Sequence, residues 1–458
     1  MAACRYVHTD AVQLCWRYLI VVLCLAAIQG VPARAQTAAA PDQSNAQHRH
    51  ENGEMLGPDS SPVTWTFTYN SDLNVDASGG NRTGGAYLHR LGIIGDADLD
   101  RLVGWRAASA HISVHAIQGN GLSALRVGNA LTVSGIEAEP ALRLFNLWIE
   151  QKLGDRVSVR AGQYTAAQEF AVSSTAALFV NSTFGWPGSF ATALPSGGPA
   201  YPLAAPGARL AVSVDDKTMF RVAAFSGDPA GQGGGDPQRR DFYGLNGFRL
   251  KGKPFFIGEI QRSAGGQDPA WSLTLGGWAH LDRFDDLGYD ARGVSLASPL
   301  SNGQPLRHAG NYAVYAMADG RLGQWGARSV RGFIRASASP ADRNALDLYV
   351  DGGLSVTSLF AARPNDVFGV GFAIARTSPR LRSMISTGAE IAGTHVRPPG
   401  FEGVVEASYQ LQLKPGLYVQ PNVQLILQPS AAMLSDPGSF VHSPRNAIVI
   451  GIRTSFRL

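Results

Sequence analysis

The sequence predicts an all-β protein, an antiparallel β-barrel that crosses a membrane with its strands. Three observations carry the prediction. The chain opens on an export signal, it has no cysteine beyond that signal, and from Val63 onward it repeats two-faced segments separated by Gly, Pro, Asp and Asn. A closed barrel gives such an exported, disulfide-free chain its stability, because closure pairs every strand edge.

Export is read from the first 35 residues. Arg5 and Arg17 form a positive n-region, Tyr18 to Ile28 an apolar h-region, and Ala33-Arg34-Ala35 a small-x-small cleavage site. The apolar run is far shorter than the roughly 20 residues of a spanning helix, so removal is expected and the mature chain starts at Gln36. Val21, Val22 and Leu23 before Cys24 lack the small residues that lipidation wants. Cys4, Cys15 and Cys24 all lie in this segment, which leaves the mature chain no disulfide, thiolate metal site or thiol nucleophile.

Charge and hydropathy exclude further classes. Loss of Arg5, Arg17, Arg34 and Asp10 lowers the formal net charge from +4 to about +2. The arginines are dispersed rather than clustered, and the lysines are confined to Lys152, Lys217, Lys251, Lys253 and Lys414, so a nucleic-acid partner is not expected. The chain is 45% hydrophobic with a mean hydropathy of -0.03. After the signal no apolar stretch has the length of a spanning helix, which leaves a soluble β-rich protein or a transmembrane barrel.

Residues 36–62 are polar and aperiodic and read as a flexible periplasmic segment, with the barrel domain over 63–458. His48-Arg49-His50 within the segment reads as solvated tail rather than metal site.

The strand signal is clearest at the C-terminus. Val405, Ala407, Tyr409, Leu411 and Leu413 alternate with Glu406, Ser408, Gln410 and Gln412; Lys414-Pro415-Gly416 turns the chain. Leu417, Val419, Val423, Leu425 and Leu427 then oppose Tyr418, Gln420, Asn422, Gln424 and Gln428. The final segment sets Ile448, Ile450, Ile452, Phe456 and Leu458 against Arg453, Ser455 and Arg457. These segments have the length a bilayer needs, near 10 residues, where soluble strands run nearer 5 or 6. Glutamines and glutamates on one face would be costly inside a sandwich, but they suit the wall of a wet channel.

Two other segments fit the barrel wall less cleanly. Arg156, Ser158 and Arg160 alternate with Val157, Val159 and Ala161; Phe368, Val370, Phe372 and Ile374 alternate with small residues. Ser226 to Asp241 and Phe284 to Gly310 are irregular and suit long extracellular loops, with short turns on the periplasmic side.

The order of motifs resembles the carbohydrate-selective porin (OprB-type) family over nearly the whole mature chain. It begins with Asp98-Leu99-Asp100-Arg101-Leu102, Gly104-Trp105 and Gly119-Asn120-Gly121-Leu122-Ser123, then Ile136-Glu137-Ala138. Arg143-Leu144-Phe145-Asn146-Leu147-Trp148-Ile149-Glu150-Gln151 and Arg160-Ala161-Gly162-Gln163 follow. Glu169-Phe170, Leu178-Phe179-Val180-Asn181-Ser182 and Phe184-Gly185 resemble the part of the family that enters the pore. Gly198-Pro199-Ala200-Tyr201-Pro202, Phe225-Ser226-Gly227-Asp228-Pro229, Arg363-Pro364-Asn365-Asp366 and Gln420-Pro421-Asn422-Val423-Gln424 complete the order.

The resemblance implies a barrel of roughly 16 antiparallel strands in the outer membrane of a Gram-negative bacterium, wide enough for an aqueous channel. It also implies passive diffusion of sugars or similar small polar solutes, with no cofactor. Outer-membrane lipid and the barrel assembly machinery are the implied partners, and a homo-oligomer is open. Such barrels usually end in an aromatic residue, whereas this chain ends in Leu458, which bears on assembly.

A sugar is a polyol with one more apolar face, so a selective pore offers planar, forked donors and an aromatic surface. Arg143, Arg160, Glu169 and Trp186 lie in or beside the family-like central block and are the expected constriction. On parity Arg156, Glu406, Gln410, Gln420 and Gln424 are expected to face the lumen.

No enzyme, cofactor or metal site is expected. His111 and His115 have helical metal spacing, but on a strand they stand roughly 13 Å apart. Asp96, Asp98 and Asp100 mimic a calcium loop, yet Arg101 and Ala107 occupy the Gly and Glu positions, so a loop or helix cap is the better reading. There is no G-x-S-x-G or convincing Ser–His pair for an outer-membrane hydrolase.

Overall fold

The computed structural model describes residues 61–250, 252–264, 269–394, 397–435 and 444–458. The proposed signal, its cleavage site and most of the 36–62 segment, with its histidines, lie outside the described residues.

Sixteen antiparallel strands form one closed barrel. The first eight are β1 (Val63–Gly80), β2 (Gly84–Asp98), β3 (Ala108–Gly119), β4 (Ala141–Leu153), β5 (Val157–Tyr164), β6 (Ala205–Asp215), β7 (Thr218–Phe225) and β8 (Phe255–Ser263). The rest are β9 (Trp271–Asp290), β10 (Pro305–Trp325), β11 (Arg328–Ala338), β12 (Leu346–Thr357), β13 (Val367–Thr377), β14 (Phe401–Lys414), β15 (Leu417–Leu427) and β16 (Arg445–Arg457). Each strand pairs with its neighbours in sequence, and β16 closes on β1 through pairs such as Tyr69 with Phe456 and Leu73 with Ile452. Closure removes both sheet edges, and every strand then satisfies its backbone within the wall, as hydrocarbon requires.

The period-two pattern sorts the wall into two faces. Leu73, Leu275, Val314, Leu354, Ile374, Val423 and Ile450 are exposed on the outer, lipid-facing side. Trp65, Trp271 and Trp325 stand at or near the periplasmic strand ends, where aromatic rings anchor a barrel to the interface. The C-terminal hairpin has the expected register, with Glu406 opposite Gln424 and Val405 opposite Leu425.

Apart from the tight β1–β2 turn, the longest connections lie on the side away from the chain's first and last strand ends and the shorter ones on the side that holds them, matching extracellular loops and periplasmic turns. Two expectations change in detail. The irregular stretch 284–310 is strand at both ends, because Arg307 pairs with Asp285 and Pro305 with Asp290, so the loop itself is only 291–304. Arg156 sits exposed in the β4–β5 turn, not on the lumen wall, because β5 begins one residue later at Val157. Its guanidinium donates to the Val214 carbonyl at 3.2 Å. Asp98 caps the short helix Leu99–Val103, its carboxylate accepting the Asp100 and Arg101 amides.

Two apolar clusters occupy the interior. One gathers Phe170, Trp186 and Phe190 against Phe255, Trp278 and Tyr315; the other gathers Leu131, Phe179 and Phe184 against Phe333, Tyr349 and Val404. The first is built from the β5–β6 connection and the second from the β3–β4 and β5–β6 connections, which fold inward and pack on the wall. Phe179 rests on glycines: a Cβ at Gly353 or Gly371 would come within 2.9 or 2.8 Å of its ring. The small residues of β13 are therefore the floor on which an inserted ring sits.

Candidate functional site

The inserted β5–β6 connection, residues 165–204, is held by side chains reaching inward from the wall. On the β14–β15 side, Glu406 accepts the Val180 and Asn181 amides at 2.7 and 2.9 Å. Gln420 donates to the Leu178 carbonyl and Gln424 to the Val133 carbonyl, and Asn181 donates back to Gln424. Gln410 lies on the same face, within 3.4 Å of Gln420. The inward parity of Glu406, Gln420 and Gln424 places them under the inserted segments rather than along open water, with Glu406 and Gln424 both 0% exposed, while Gln410 is half-buried beside them. Opposite them, Asp319 accepts the Thr175 amide and hydroxyl at 3.0 Å, and Glu259 accepts the Ala171 amide and the Tyr315 hydroxyl. Arg335, fully buried, pairs with Asp351 through both carboxylate oxygens and donates to the carbonyls of Ala171, Thr183 and Phe184.

These contacts from the wall to the inserted segments span chain separations of 88 to 291 residues, which no local pattern reports. Asp319, Glu259 and Asp351 pair with Arg331, Arg221 and Arg335, and Glu406 is met by two amides and the Ser408 hydroxyl, so the desolvation cost is met by hydrogen bonds.

Arg160 and Glu169 are brought together. Arg160 donates to Glu169 at 2.8 Å and to Glu150 at 2.6 Å, while Arg209 donates to Glu169 at 2.7 Å and Glu150 at 3.0 Å. The result is a closed square of alternating charge between β4, β5, β6 and the inserted segment. The Arg160 guanidinium also lies 3.7 Å from the Trp148 ring centroid, within cation–π range. Sequence reasoning missed Glu150, Arg209 and Trp148, although Glu150 and Trp148 share one face of β4 with its family-like run.

Arg143 and Trp186 do not join this square. Arg143 lies towards the extracellular end of β4 and donates to the carbonyls of Asp241, Pro202 and Gln238, tying two loops together. Trp186 packs edge-on against Phe190 in an apolar cluster.

A second polar row runs along β1, β2 and β16. Arg453 binds both oxygens of Asp72 at 2.8 and 2.7 Å, and Ser134 of the β3–β4 connection also donates to Asp72. Arg90 stands 5.4 Å from the Tyr201 ring, and the Tyr201 hydroxyl donates to the Ile136 carbonyl. Parity marks Arg453 as inward; nothing local marks Tyr201, which belongs to a loop.

The β3–β4 connection carries a titratable anchor. Glu137 accepts the Ser123 amide at 3.0 Å and its hydroxyl at 2.9 Å. Burial pushes this carboxyl up from 4.5 to about 7, against those two hydrogen bonds. A carboxyl raised in the folded chain contributes most stability below its ordinary range and loses it as pH climbs through the raised value. The unfolding temperature in detergent is expected to fall from about pH 5 to about pH 8, and Glu137→Gln is expected to flatten that slope. Scanning calorimetry of both proteins across the range checks it; parallel slopes would remove Glu137 as the cause.

At the extracellular rim Asp286, His308 and Asp342 bring one ligand atom each within 4.8 Å of the others. Arg343 already binds both oxygens of Asp342, and Arg380 lies 3.6 Å from Asp286, so the group is an ion-pair cluster with cations facing any incoming metal. His111 and His115, on the inner face of β3, are separately engaged: His111 bonds Asp96 at 2.7 Å and His115 stacks on Phe145.

The fold agrees with the comparisons to known proteins. The family description "Carbohydrate-selective porin, OprB family" matches residues 82–458. The chain belongs to this family. Porin B of Pseudomonas aeruginosa is 21% identical over 397 residues, 83% of this chain and 84% of that one. The high-pH structure of Pseudomonas putida OprB superposes with a TM-score of 0.74 at 20% identity, covering 87% of this chain and 94% of that one. The low-pH structure of the same protein gives a TM-score of 0.50 at 14% identity, covering 87% and 93%. This OprB-family chain is thus an outer-membrane porin barrel of Gram-negative type, a passive conduit rather than an enzyme, set in lipid and dependent on barrel assembly.

Proposed function

We propose that this OprB-family barrel carries out carbohydrate-selective diffusion of small polar solutes, monosaccharides among them. The observation that supports this reading is the Glu150–Arg160–Glu169–Arg209 square beside Trp148. Two acids and two guanidinium groups sum to no net charge, so the square attracts neither cations nor anions strongly. Its forked donors and acceptors match adjacent hydroxyls, while Trp148, sandwiched between Arg160 and His111, backs the square from the wall.

On this reading Arg160 and Glu169 belong to the constriction through the charge square they share with Glu150 and Arg209. Arg143 ties loops behind the constriction, Trp186 seats the inserted segment in its apolar cluster, Glu406, Gln420 and Gln424 hold that segment on the wall, and Gln410 lines the wall beside Gln420. Residues 1–35 direct export and are removed, residues 36–62 form a periplasmic segment, and 63–458 form the pore.

Liposome swelling tests the reading. Glucose is expected to enter faster than a zwitterionic amino acid of similar size, and unlabelled sugar is expected to block ion current in planar bilayers. Equal swelling rates without current block would reduce the protein to a general porin.

A further inference from the structure

β5 and β7 have eight residues each, whereas a tilted strand needs about 9–11 to cross the hydrocarbon. The wall around them therefore falls short at its extracellular end. The β7–β8 connection folds back over this low sector. Its Tyr243 carbonyl accepts the Leu144 amide at 3.0 Å, on the part of β4 that continues beyond the last β4–β5 pair, Leu147 with Gln163. The Gly244 carbonyl accepts the Gln163 side-chain amide at 2.7 Å. Gln163 pairs across the sheet with the exposed Leu147 and with Pro206, yet is only 1% exposed itself. Gly247 covers Pro206 closely enough that an added Cβ would meet its ring at 2.7 Å. From the lumen side Arg143 holds the start of the segment by the Asp241 carbonyl.

The segment so placed turns Phe242, Tyr243, Leu245, Phe248 and Leu250 away from protein, with exposures from 39% to 68%. Five large apolar side chains within nine residues form a patch that water does not favour. The same patch continues the outward apolar face of β4, where Leu142, Leu147 and Ile149 are exposed.

We propose that residues 242–250 are a membrane-embedded part of this barrel: they complete the hydrophobic belt above β5–β7 and lie against lipid in the outer leaflet. The occupant is the acyl and headgroup boundary, argued from the strand deficit beneath the segment and its continuity with the belt.

Spin labelling tests this directly, since the barrel has no cysteine. With Cys4, Cys15 and Cys24 replaced by alanine, the full chain carries a single nitroxide at Leu245→Cys or Phe248→Cys in phosphatidylglycerol vesicles. Leu354→Cys, on the outer face of β12, serves as the lipid reference and Gly234→Cys, elsewhere in the same connection, as the aqueous one. All four positions are open, and the heat-modifiable band confirms folding of each variant. Oxygen collision is expected to exceed nickel-chelate collision several-fold at 245 and 248, as at 354. Nickel access equal to that at 234 would overturn the proposal in favour of an aqueous loop. Shielding from both reagents with spin–spin broadening would overturn it in favour of contact with a second copy.

Discussion

Replacing Arg335 with alanine is expected to cost about 3–5 kcal/mol of stability and to raise single-channel conductance in the same variant. The cost arises because Asp351 would remain fully buried without its cation. The conductance change has a separate origin: Arg335 also donates to the carbonyls of Ala171, Thr183 and Phe184, and without it the inserted segment loses three wall contacts. A double replacement separates the two. Arg335→Met with Asp351→Leu removes both charges, and buried pairs exchanged for apolar residues of similar volume are often neutral or more stable. The double variant is therefore expected to regain its heat-modifiable transition while keeping the enlarged conductance. Recovery of both properties together would show that the guanidinium does not hold the segment.

Glu150→Gln is expected to make the pore anion-selective. Glu150 receives Arg160 and Arg209 together, and its neutralisation leaves two guanidinium groups sharing Glu169. One uncompensated charge about 4 Å from a passing ion is worth about 1 kcal/mol in water. That corresponds to about fivefold in relative permeability. Reversal potentials under a potassium chloride gradient measure it. An unchanged potential would place the charge square off the conduction path and would count against the constriction proposed for Arg160 and Glu169.

The wall was legible in sequence wherever one face met lipid and the other did not. The β14–β15 hairpin shows this, since Val405 and Leu425 against Glu406 and Gln424 fix both strand and register. The extracellular ends of β9 and β10 were illegible for the converse reason: around Arg283, Asp285 and Arg307 both faces are polar, and the period vanishes although pairing continues. Arg156 failed by one residue, because alternation does not reveal where a tight turn stops and the strand starts.

The interior was harder. Polar inner faces suggested a wet wall, but a glutamate that meets water and one that receives two loop amides look alike in sequence. Glu406 belongs to the second kind. Arg160 and Glu169 were recoverable from their place in a family-like block, whereas their partners Glu150 and Arg209 lie on strands that only the closed sheet brings together. The small residues of β13 alternate with Phe368, Val370, Phe372 and Ile374 without showing why they are small; that depends on Phe179, nearly two hundred residues away in the chain.

That aromatic seat makes the barrel mechanically lopsided. Around Gly353 and Gly371 the sheet has lipid-facing Leu354, Val370 and Phe372 on one side and Phe179 on the other, so this arc is clamped between two apolar layers as a soluble sandwich would be. The arc formed by β1, β2 and β16 meets the interior in two ways: Ala447 and Val449 join the same apolar cluster, while Asp72, Arg90 and Arg453 face polar or aromatic partners. A solute therefore passes between a bank that is apolar on both sides and one whose inner side is also held by directional ion pairs and hydrogen bonds.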